Sequence, residues 1–305
     1  MNTASKLVRL VTLLVAGLLS ACEPPPANKP LQYSSAPQAA TVPVYRLAIH
    51  PLYNPHMLSA AYQPLVDHLN TRLPSARFEL EASRDYQAFE EKYANRQPDF
   101  LLPNPWQTIQ AMKVGYHVIA MAGDAKDFKG IFIVRRDSGI KTPADLKGKV
   151  VSYPSPTALA AAVMPQYFLY SHGINVTRDI QNAYVGSQES SILNVYLGLS
   201  AAGATWPPPW RLFQRDHPKE ATALQVIWET EPLINNSVMV RDDVPAAIRE
   251  QVKTVLISLA QQPSGVAILE GMSTAGFYAA DDASYGVVQR YVNHFEQVVR
   301  PVGSP

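Results

Sequence analysis

Short apolar runs alternate with amphipathic stretches along the chain from about residue 44 onwards. Val44–Ile49 has the length and composition of a β-strand, and Leu65 and Leu69 then recur at helical spacing. We predict that this helix begins at about Tyr62, because Pro64 is tolerated only near a first turn. Strand and helix patterns continue to alternate towards the C-terminus, which predicts an α/β fold.

The rest of the pattern predicts further elements separated by short polar or proline-containing connections. Strands are predicted at residues 77–81, 99–102, 117–122, 131–135, 149–153, 181–185, 221–228 and 237–241. Helices are predicted at residues 85–95, 158–170, 190–199, 245–260, 264–271 and 281–299, with a short capped turn at 142–148. Residues 206–210, where two tryptophans bracket three prolines, are predicted to form a loop.

The N-terminal residues have the order of an export signal. Lys6 and Arg9 precede an apolar run at 10–19, and small residues then lead to Cys22. The run is shorter than the roughly 20 apolar residues that a membrane-spanning helix needs. A cysteine in this place resembles the lipobox of bacterial lipoproteins, whose thiol is acylated. We therefore predict a lipoprotein signal peptide at 1–21 and lipidation of Cys22; the alternative is an ordinary signal peptide that contains a cysteine.

Composition narrows the class of protein. Residues 22–42 are rich in proline and alanine, so we predict a tether that cannot bury enough apolar surface to fold. The net charge of +1 gives no electrostatic footprint for nucleic acid. Cys22 is the only cysteine, so no disulfide can form within the chain. We expect a monomer that faces the periplasm and is held at a membrane, with the leaflet left open.

Motifs of catalysis are missing from the sequence. It contains no G-x-S-x-G, phosphate-binding loop or dinucleotide-binding glycine pattern. The only thiol is the one assigned to lipid, and the seven histidines are scattered without the spacing of a metal site. We therefore predict that the chain is not an enzyme and that it uses neither a metal nor a cofactor.

Candidate ligand-binding residues cluster where predicted strands give way to loops, which is where ligands bind in open α/β sheets. These candidates are Tyr53, Asn54, Asn104, Trp106, Ser155, Thr157, Ala158, Gln188, Trp206, Trp210 and Asn236. The free N–H groups of a helix beginning near residue 158 would suit an anion. The two indoles of residues 206–210 would suit a flat, apolar or cationic group. The alternative for the indoles is that they cover the core or support a joint between lobes.

Several segments resemble the phosphate, phosphite and phosphonate periplasmic binding proteins of ABC transporters. The first is Tyr62-Gln63-Pro64-Leu65-Val66-Asp67-His68-Leu69, and the most specific is Arg135-Arg136-Asp137-Ser138-Gly139-Ile140 with Asp145-Leu146-Lys147-Gly148-Lys149. The resemblance implies a two-lobed type II periplasmic binding protein, each lobe a mixed sheet flanked by helices, with two crossover hinge strands. It places lobe 1 at 43–133 plus 239–302 and lobe 2 at 134–238, and it implies delivery of a small ligand to an ABC transporter.

The chain departs from this family at the positions that should hold the ligand. The family's Ser-Thr-Ser-Gly run, which grips phosphonate oxygens, falls on Ala158-Leu159-Ala160-Ala161, where no side chain can donate a hydrogen bond. Gln188 stands in place of a family histidine, and Asn236 at or near a family aspartate. Because each hydrogen bond to a charged group contributes about 1.5–3 kcal/mol, we expect a ligand other than a simple phosphonate. The loss of these groups also favours an alternative function, an accessory lipoprotein that presents its state to a sensor kinase or an envelope complex.

Overall fold

The computed structural model describes residues 42–303, and Cys22, the signal peptide and nearly all of the tether lie outside them. In this part of the chain the strands are β1 (Val44–Ile49), β2 (Arg77–Glu81), β3 (Phe100–Leu102), β4 (Tyr116–Ala122), β5 (Ile131–Arg135), β6 (Val150–Tyr153), β7 (Gln181–Tyr184), β8 (Ala202–Thr205), β9 (Leu224–Glu229), β10 (Ser237–Arg241) and β11 (Phe277–Tyr278). The α-helices are α1 (Pro55–Arg72), α2 (Tyr86–Ala94), α3 (Pro105–Met112), α4 (Met164–Ser171), α5 (Gln188–Tyr196), α6 (Pro207–Asp216), α7 (Pro218–Thr222), α8 (Ala246–Ser258), α9 (Pro263–Gly271) and α10 (Gly286–Val298). A π-helical turn, Leu159–Val163, leads directly into α4.

These strands form two mixed sheets. The first has the order β11-β4-β10-β3-β1-β2 and the second the order β7-β6-β8-β5-β9. In the first sheet β1 pairs in parallel with β2 and β3, whereas β10 is antiparallel to β3 and β4. In the second sheet β6 pairs in parallel with β7 and β8, whereas β5 is antiparallel to β8 and β9. The predicted α/β architecture with two mixed sheets is confirmed.

Two segments of chain cross between the sheets, at 123–130 and at 230–236. They are bonded to each other, because the Leu233 N–H donates to the Phe128 carbonyl at 2.8 Å and the Thr230 N–H to the Gly130 carbonyl at 2.9 Å. β5 and β10 are the strands that these crossings reach, and each pairs wholly within one sheet. A division by sheets therefore falls before Ile131 and before Ser237 rather than at residues 134 and 239. The lobe assignment itself stays a prediction.

Each sheet carries its own apolar core. The first packs α1 and α8 over residues such as Leu47 and Phe100, with the Phe78 and Phe100 rings 5.7 Å apart. The second buries Phe132 and Tyr153 completely. Burial of each such side chain contributes about 1.5–3 kcal/mol, so packing alone can hold both sheets.

Three predicted elements differ from the structure. Helix α1 begins at Pro55 rather than near residue 62, because Asn54 Oδ1 accepts the Met57 N–H at 3.0 Å and Pro55 occupies the first turn. Pro64 therefore lies inside α1. The predicted strand 221–228 begins only at Leu224, because Pro218–Thr222 is helical. The predicted loop at 206–210 is the start of α6, with three prolines in its first turn.

Candidate functional site

Strand ends from both sheets meet in one region between the sheets. His50 follows β1 and Asn104 follows β3 in the first sheet, while Thr157 and Trp206 follow β6 and β8 in the second. The Asn104 side-chain Nδ2 donates to the Thr157 carbonyl at 3.1 Å, which joins the two halves directly. The position agrees with the rule that ligands bind beyond the carboxyl ends of strands.

A small cavity lies at this junction, and we call it the helix-start cavity. It is lined by His50, Tyr86, Asn104, Phe128, Ala158, Leu159, Ala160, Ala161, Gln188, Trp206 and Asn236. The centre of a water-sized sphere can occupy about 10 Å³ of it, which is about the room that one water molecule needs. The structure thus brings together Asn104, Ala158, Gln188, Trp206 and Asn236 of the predicted candidates.

The start of the π-helical turn lines the helix-start cavity. The N–H groups of Ala162 and Val163 donate to the Ala158 carbonyl at 2.7 and 3.2 Å. Leu159, Ala160 and Ala161 occupy the first turn, where N–H groups have no partner inside a helix. Such a turn, at the positive end of the helix dipole, favours an oxygen acceptor or an anion.

The hydroxyl groups next to this turn are bonded within the chain. Ser155 and Thr157 hydroxyls lie 2.9 Å apart, and the Thr157 hydroxyl donates to Glu90 Oε1 at 2.6 Å. Gln107 Nε2 donates to the same carboxylate oxygen at 3.1 Å. Burial raises the pKa of Glu90, against the lowering effect of these hydrogen bonds. The acidic group Glu90 is therefore a direct neighbour of the helix start, while the Arg300 guanidinium donates to the Pro156 carbonyl at 3.4 Å and to Gln166 Oε1 at 2.7 Å.

Gln188 is held between the two halves. Its Nε2 donates to the Tyr86 hydroxyl at 3.0 Å, and its Oε1 accepts from the Thr205 hydroxyl at 2.7 Å. Because the Tyr86 oxygen accepts from Gln188, its own O–H proton remains available for a ligand. Burial raises the pKa of Tyr86, which keeps that proton in place.

Two hydrogen-bond acceptors also belong to the lining of the helix-start cavity, one from Asn236 and one from His50. Asn236 is 3% exposed, and its Oδ1 is buried without a hydrogen-bond partner among residues 42–303. His50 was not predicted as a site residue, although its place directly after β1 could have suggested it. The ring lies with its Nδ1 2.8 Å from the Leu102 carbonyl, and burial lowers its pKa to about 4. His50 is therefore neutral at neutral pH, with Nδ1–H as donor and Nε2 as acceptor.

The three candidate tryptophans lie in different surroundings. Trp206 is 5% exposed, lines the helix-start cavity and packs on Phe128 with ring centroids 5.5 Å apart. Trp210 lies one turn into α6 and stacks on Phe213 at 5.8 Å, outside the lining of that cavity. Trp106 is half-buried against the first core and is also outside it. Of the indoles, only that of Trp206 joins the other candidates.

A second and larger cavity lies between the start of α1 and helix α6, and we call it the outer cavity. Its lining consists of Tyr53, Asn54, Met57, Glu189, Pro209, Leu212, Phe213, Asp216 and His217. Water-sized spheres can occupy about 200 Å³ of it. Asn54 Nδ2 donates to Glu189 Oε2 at 3.2 Å, and His217 Nε2 lies 3.1 Å from Glu189 Oε1. Tyr53 and Asn54 are the predicted candidates that belong to this cavity.

Residues 42–303 contain neither a cluster of metal-ligating side chains nor a helix that could span a membrane. Nowhere in this range do three or more histidine, cysteine or acidic side chains gather closely enough to hold a metal ion. The helices of the same range are all too short or too polar to span a bilayer.

Comparison with known proteins finds a matching family model and a relative in sequence. The model of a family described as "ABC transporter, phosphonate, periplasmic substrate-binding protein" matches residues 47–285. A probable ABC transporter phosphite binding protein, PhnD1 of Prochlorococcus marinus strain MIT 9301, is 25% identical over 181 residues. That match covers 55% of this chain and 61% of the relative, so the chain spans less than two thirds of its length.

Solved structures share the fold. A binding protein component of an ABC phosphonate transporter from Pseudomonas aeruginosa superposes with a TM-score of 0.78 at 14% identity, covering 84% of this chain and 87% of that one. Prochlorococcus marinus PhnD1 in complex with methylphosphonate superposes with a TM-score of 0.76 at 20% identity, covering 84% and 99%. The two-lobed periplasmic binding fold and the family that the sequence predicted are confirmed. These relatives are binding proteins, in agreement with the prediction that the chain is not an enzyme.

Proposed function

Because the chain belongs to the family of periplasmic substrate-binding proteins of ABC phosphonate transporters, we propose that it is a receptor that closes on a small ligand and delivers it to an ABC permease. The observation that carries this proposal is the helix-start cavity between the two sheets, which presents backbone N–H groups, a free Tyr86 O–H and the unpaired Asn236 Oδ1. Buried polar groups of this kind are normally hydrogen-bonded, so a ligand is the natural partner.

We further propose that the ligand is not a simple phosphonate. Ala158, Ala160 and Ala161 offer no hydroxyl groups, while those of Ser155 and Thr157 are bonded to each other and to Glu90. No lysine or arginine lines the helix-start cavity, since Arg300 bonds to Gln166 and the Pro156 carbonyl instead, and the acidic Glu90 lies beside the helix start. A dianion would therefore meet backbone N–H groups without the charge or the hydroxyl donors needed to hold it tightly.

Titration calorimetry with methylphosphonate and phosphite tests this ligand assignment. We expect no measurable heat with the natural sequence and measurable binding with the double variant Ala158→Ser/Ala160→Ser. Two added hydroxyl donors at about 1.5 kcal/mol or more each correspond to roughly a hundredfold in Kd. Ala162→Ser is the matched control, because Ala162 follows the cavity-lining turn and does not line the cavity. Tight binding of phosphite or methylphosphonate by the unaltered protein would contradict the proposal.

Anchoring through Cys22 is part of the proposed function and rests on the sequence, since Cys22 lies outside the described residues. A lipid on Cys22 and a proline-rich tether would keep the receptor near a permease in the membrane. Labelling of growing cells with an alkyne fatty acid should mark the protein, and Cys22→Ser should abolish the label. A label that persists in Cys22→Ser would refute the anchor without touching the receptor function. The working unit is proposed to be a monomer.

A second candidate function is that of an accessory lipoprotein that reports its state to a sensor kinase. The observation that favours it is the loss of the anion-gripping side chains at Ala158, Ala160 and Ala161, which leaves the helix start without hydroxyl donors of its own. Crosslinking in the native host separates the two functions: capture of a permease supports the receptor, and capture of a histidine kinase supports the accessory role.

A further inference from the structure

The outer cavity has the dimensions of a binding site for a single-ring molecule. About 200 Å³ is open to water-sized spheres, whereas an apolar protein cavity of about 150 Å³ holds a benzene molecule. A ring with a short substituent therefore fits the outer cavity. The helix-start cavity, with room for about one water, does not offer this space.

Most of the outer cavity wall is apolar. Met57, Pro209, Leu212 and Phe213 supply it, and Phe213 is 3% exposed with its ring fixed by stacking on Trp210 at 5.8 Å. The aromatic ring of Tyr53 adds to this surface. Such a wall favours an apolar or aromatic group of a ligand.

The polar part of the same wall is acidic. Glu189 and Asp216 are its two carboxylates, and His217 is the only basic residue in the lining. Each oxygen of Glu189 has one partner, Asn54 or His217, and each oxygen of Asp216 is bonded to Arg215. A carboxylate oxygen can accept two hydrogen bonds, so both groups retain acceptor capacity for a donor from a ligand. Because Arg215 neutralises Asp216, Glu189 is the carboxylate of this lining that favours a cation and disfavours an anion.

Tyr53 also contributes a polar group to this cavity. The residue is 7% exposed, and its hydroxyl oxygen is open to the cavity. Burial raises its pKa, against the lowering effect of the nearby Arg211 and Arg215 guanidinium groups of α6. A hydroxyl open to a cavity can hydrogen-bond to water or to a bound molecule.

Both halves of the molecule contribute to the outer cavity. Tyr53, Asn54 and Met57 come from the end of β1 and the start of α1, whereas Glu189 and Phe213 come from α5 and α6. A molecule in this cavity would contact both halves at once. Binding there is therefore coupled to the approach of the two halves.

From these observations we propose that the outer cavity binds a small organic cation with one apolar ring, of the class of primary arylalkylamines. The proposal deepens the proposed receptor function and rests on it for its biological meaning. The ammonium group is held by the Glu189 carboxylate, and the ring lies on Phe213, Leu212 and Met57. The ligand thus has the opposite charge to the phosphonates of related proteins.

The probe is 2-phenylethylamine, titrated calorimetrically into the full chain at pH 7.5 and low salt. Its neutral and anionic counterparts, 2-phenylethanol and phenylacetate, serve as ligand controls. We expect the amine to bind at least about tenfold more tightly than the alcohol, and phenylacetate not to bind, because a charge-assisted hydrogen bond is worth about this factor. Equal binding of the amine, alcohol and acid would overturn the proposal, and so would no binding of the amine.

Three variants locate the bound amine. Glu189→Gln should weaken 2-phenylethylamine about tenfold and leave 2-phenylethanol nearly unchanged, since the substitution removes charge and keeps shape. Met57→Phe should weaken both probes, because the larger side chain fills the cavity. Glu250→Gln, an exposed acidic residue on α8, is the matched control and should change neither. An equal effect of Glu189→Gln and Glu250→Gln would show that only the overall charge matters and would refute the site.

Small-angle scattering with and without the amine separates this inference from the proposed function. A decrease in the radius of gyration on binding supports both. Binding that depends on Glu189 without any decrease upholds the cavity assignment and contradicts the closing receptor. A decrease caused by another solute, with no binding of the amine, upholds the receptor and overturns the cavity assignment.

Discussion

At the scale of single residues, His50 and Asn236 set the character of the helix-start cavity. Both are at least 97% buried, and neither brings a positive charge, since the pKa of His50 is lowered to about 4 by burial. His50 Nε2 and Asn236 Oδ1 are acceptors, so they favour a ligand with N–H or O–H groups beside the oxygen that the helix start would hold.

Burial of neutral His50 predicts a pH-dependent loss of stability. As the pH falls from about 6.5 to about 4, the unfolded chain takes up a proton on His50 before the folded chain does. The free energy of unfolding therefore decreases by about 3 kcal/mol over this range. His50→Asn should reduce this loss, because Asn cannot be protonated and its Nδ2 can still donate to Leu102. Urea unfolding between pH 7.5 and 4.5 measures the difference.

Another buried titratable group, Glu90, also makes the stability of the fold depend on pH. Glu90, whose pKa is raised by burial, changes stability in the opposite sense as the pH falls, but it is present in both proteins. His56→Asn, at an exposed position, is the control. Identical pH slopes for the natural protein and His50→Asn would show that His50 is not held neutral in the folded state.

Asn104 combines two structural roles that can be separated. Its Oδ1 accepts the Gln107 N–H at 3.0 Å as a helix cap, and its Nδ2 bonds to the Thr157 carbonyl across the two halves. Asn104→Ala should lower the free energy of unfolding by about 2 kcal/mol, while Asn104→Ser, which keeps a capping oxygen, should lower it by about 1 kcal/mol. Denaturant titration distinguishes them. If Asn104→Ser lowered the free energy of unfolding as much as Asn104→Ala, the helix cap would make no contribution to stability.

At the scale of elements, strands with a clear apolar pattern were predictable from the sequence, and a strand made of small side chains was not. β1, β2, β5 and β10 lie at the predicted residues, because β-branched and apolar residues mark them. β8 was missed, since Ala202–Thr205 has small side chains that give no periodic signal. The side chains of β8 are small because α5 packs closely on this strand. A Cβ added to Gly203 would lie only 2.6 Å from the Ser191 carbonyl oxygen of α5. The partner helix, and not the strand's own sequence, dictates this composition.

This close packing predicts the effect of one methyl group. Gly203→Ala should destabilise the fold by about 1–3 kcal/mol, because the nearest atom is backbone and cannot move aside readily. Gly271→Ala is the matched control: its Cβ would meet nothing within 4 Å, so the substitution should be neutral or slightly stabilising. Thermal unfolding of the two variants tests the comparison. Equal midpoints would contradict the packing of α5 on β8.

The start of α6 shows why the candidate site was only partly predictable. Trp206 and Trp210 are equivalent in sequence, yet Trp206 caps α6 with an extended backbone, φ −142°, while Trp210 lies within the helix. Their indoles therefore point in different directions, and of the two only that of Trp206 lines the helix-start cavity. The prediction of a loop at 206–210 could not distinguish the two tryptophans, because their orientations depend on the residue at which α6 begins.

At the scale of the whole molecule, the two halves are joined by side chains as well as by the crossing segments. The hydroxyl of Tyr86 accepts from Gln188 at 3.0 Å, and both residues line the helix-start cavity. The outer cavity likewise depends on Asn54 and Glu189 meeting from opposite halves. The resemblance to a known family could predict the two-sheet fold. It could not predict these pairs, because they join residues distant in sequence and because Gln188 departs from the family pattern.

Loss of the Tyr86 hydroxyl should loosen the contact between the halves. Tyr86→Phe removes one hydrogen bond, worth about 1 kcal/mol, and leaves Gln188 Nε2 without this partner. We expect amide hydrogen exchange at the start of α5 to accelerate about fivefold. Tyr278→Phe, at an exposed position on β11, should leave the exchange unchanged. Unaltered exchange in Tyr86→Phe would show that this hydrogen bond does not hold the halves together.

Native mass spectrometry of the protein purified from its own host tests the central claim most directly. We expect one small organic molecule bound per chain, with no phosphorus and with an amine or other hydrogen-bond donor. Phosphite or a phosphonate retained on the protein through purification would contradict it.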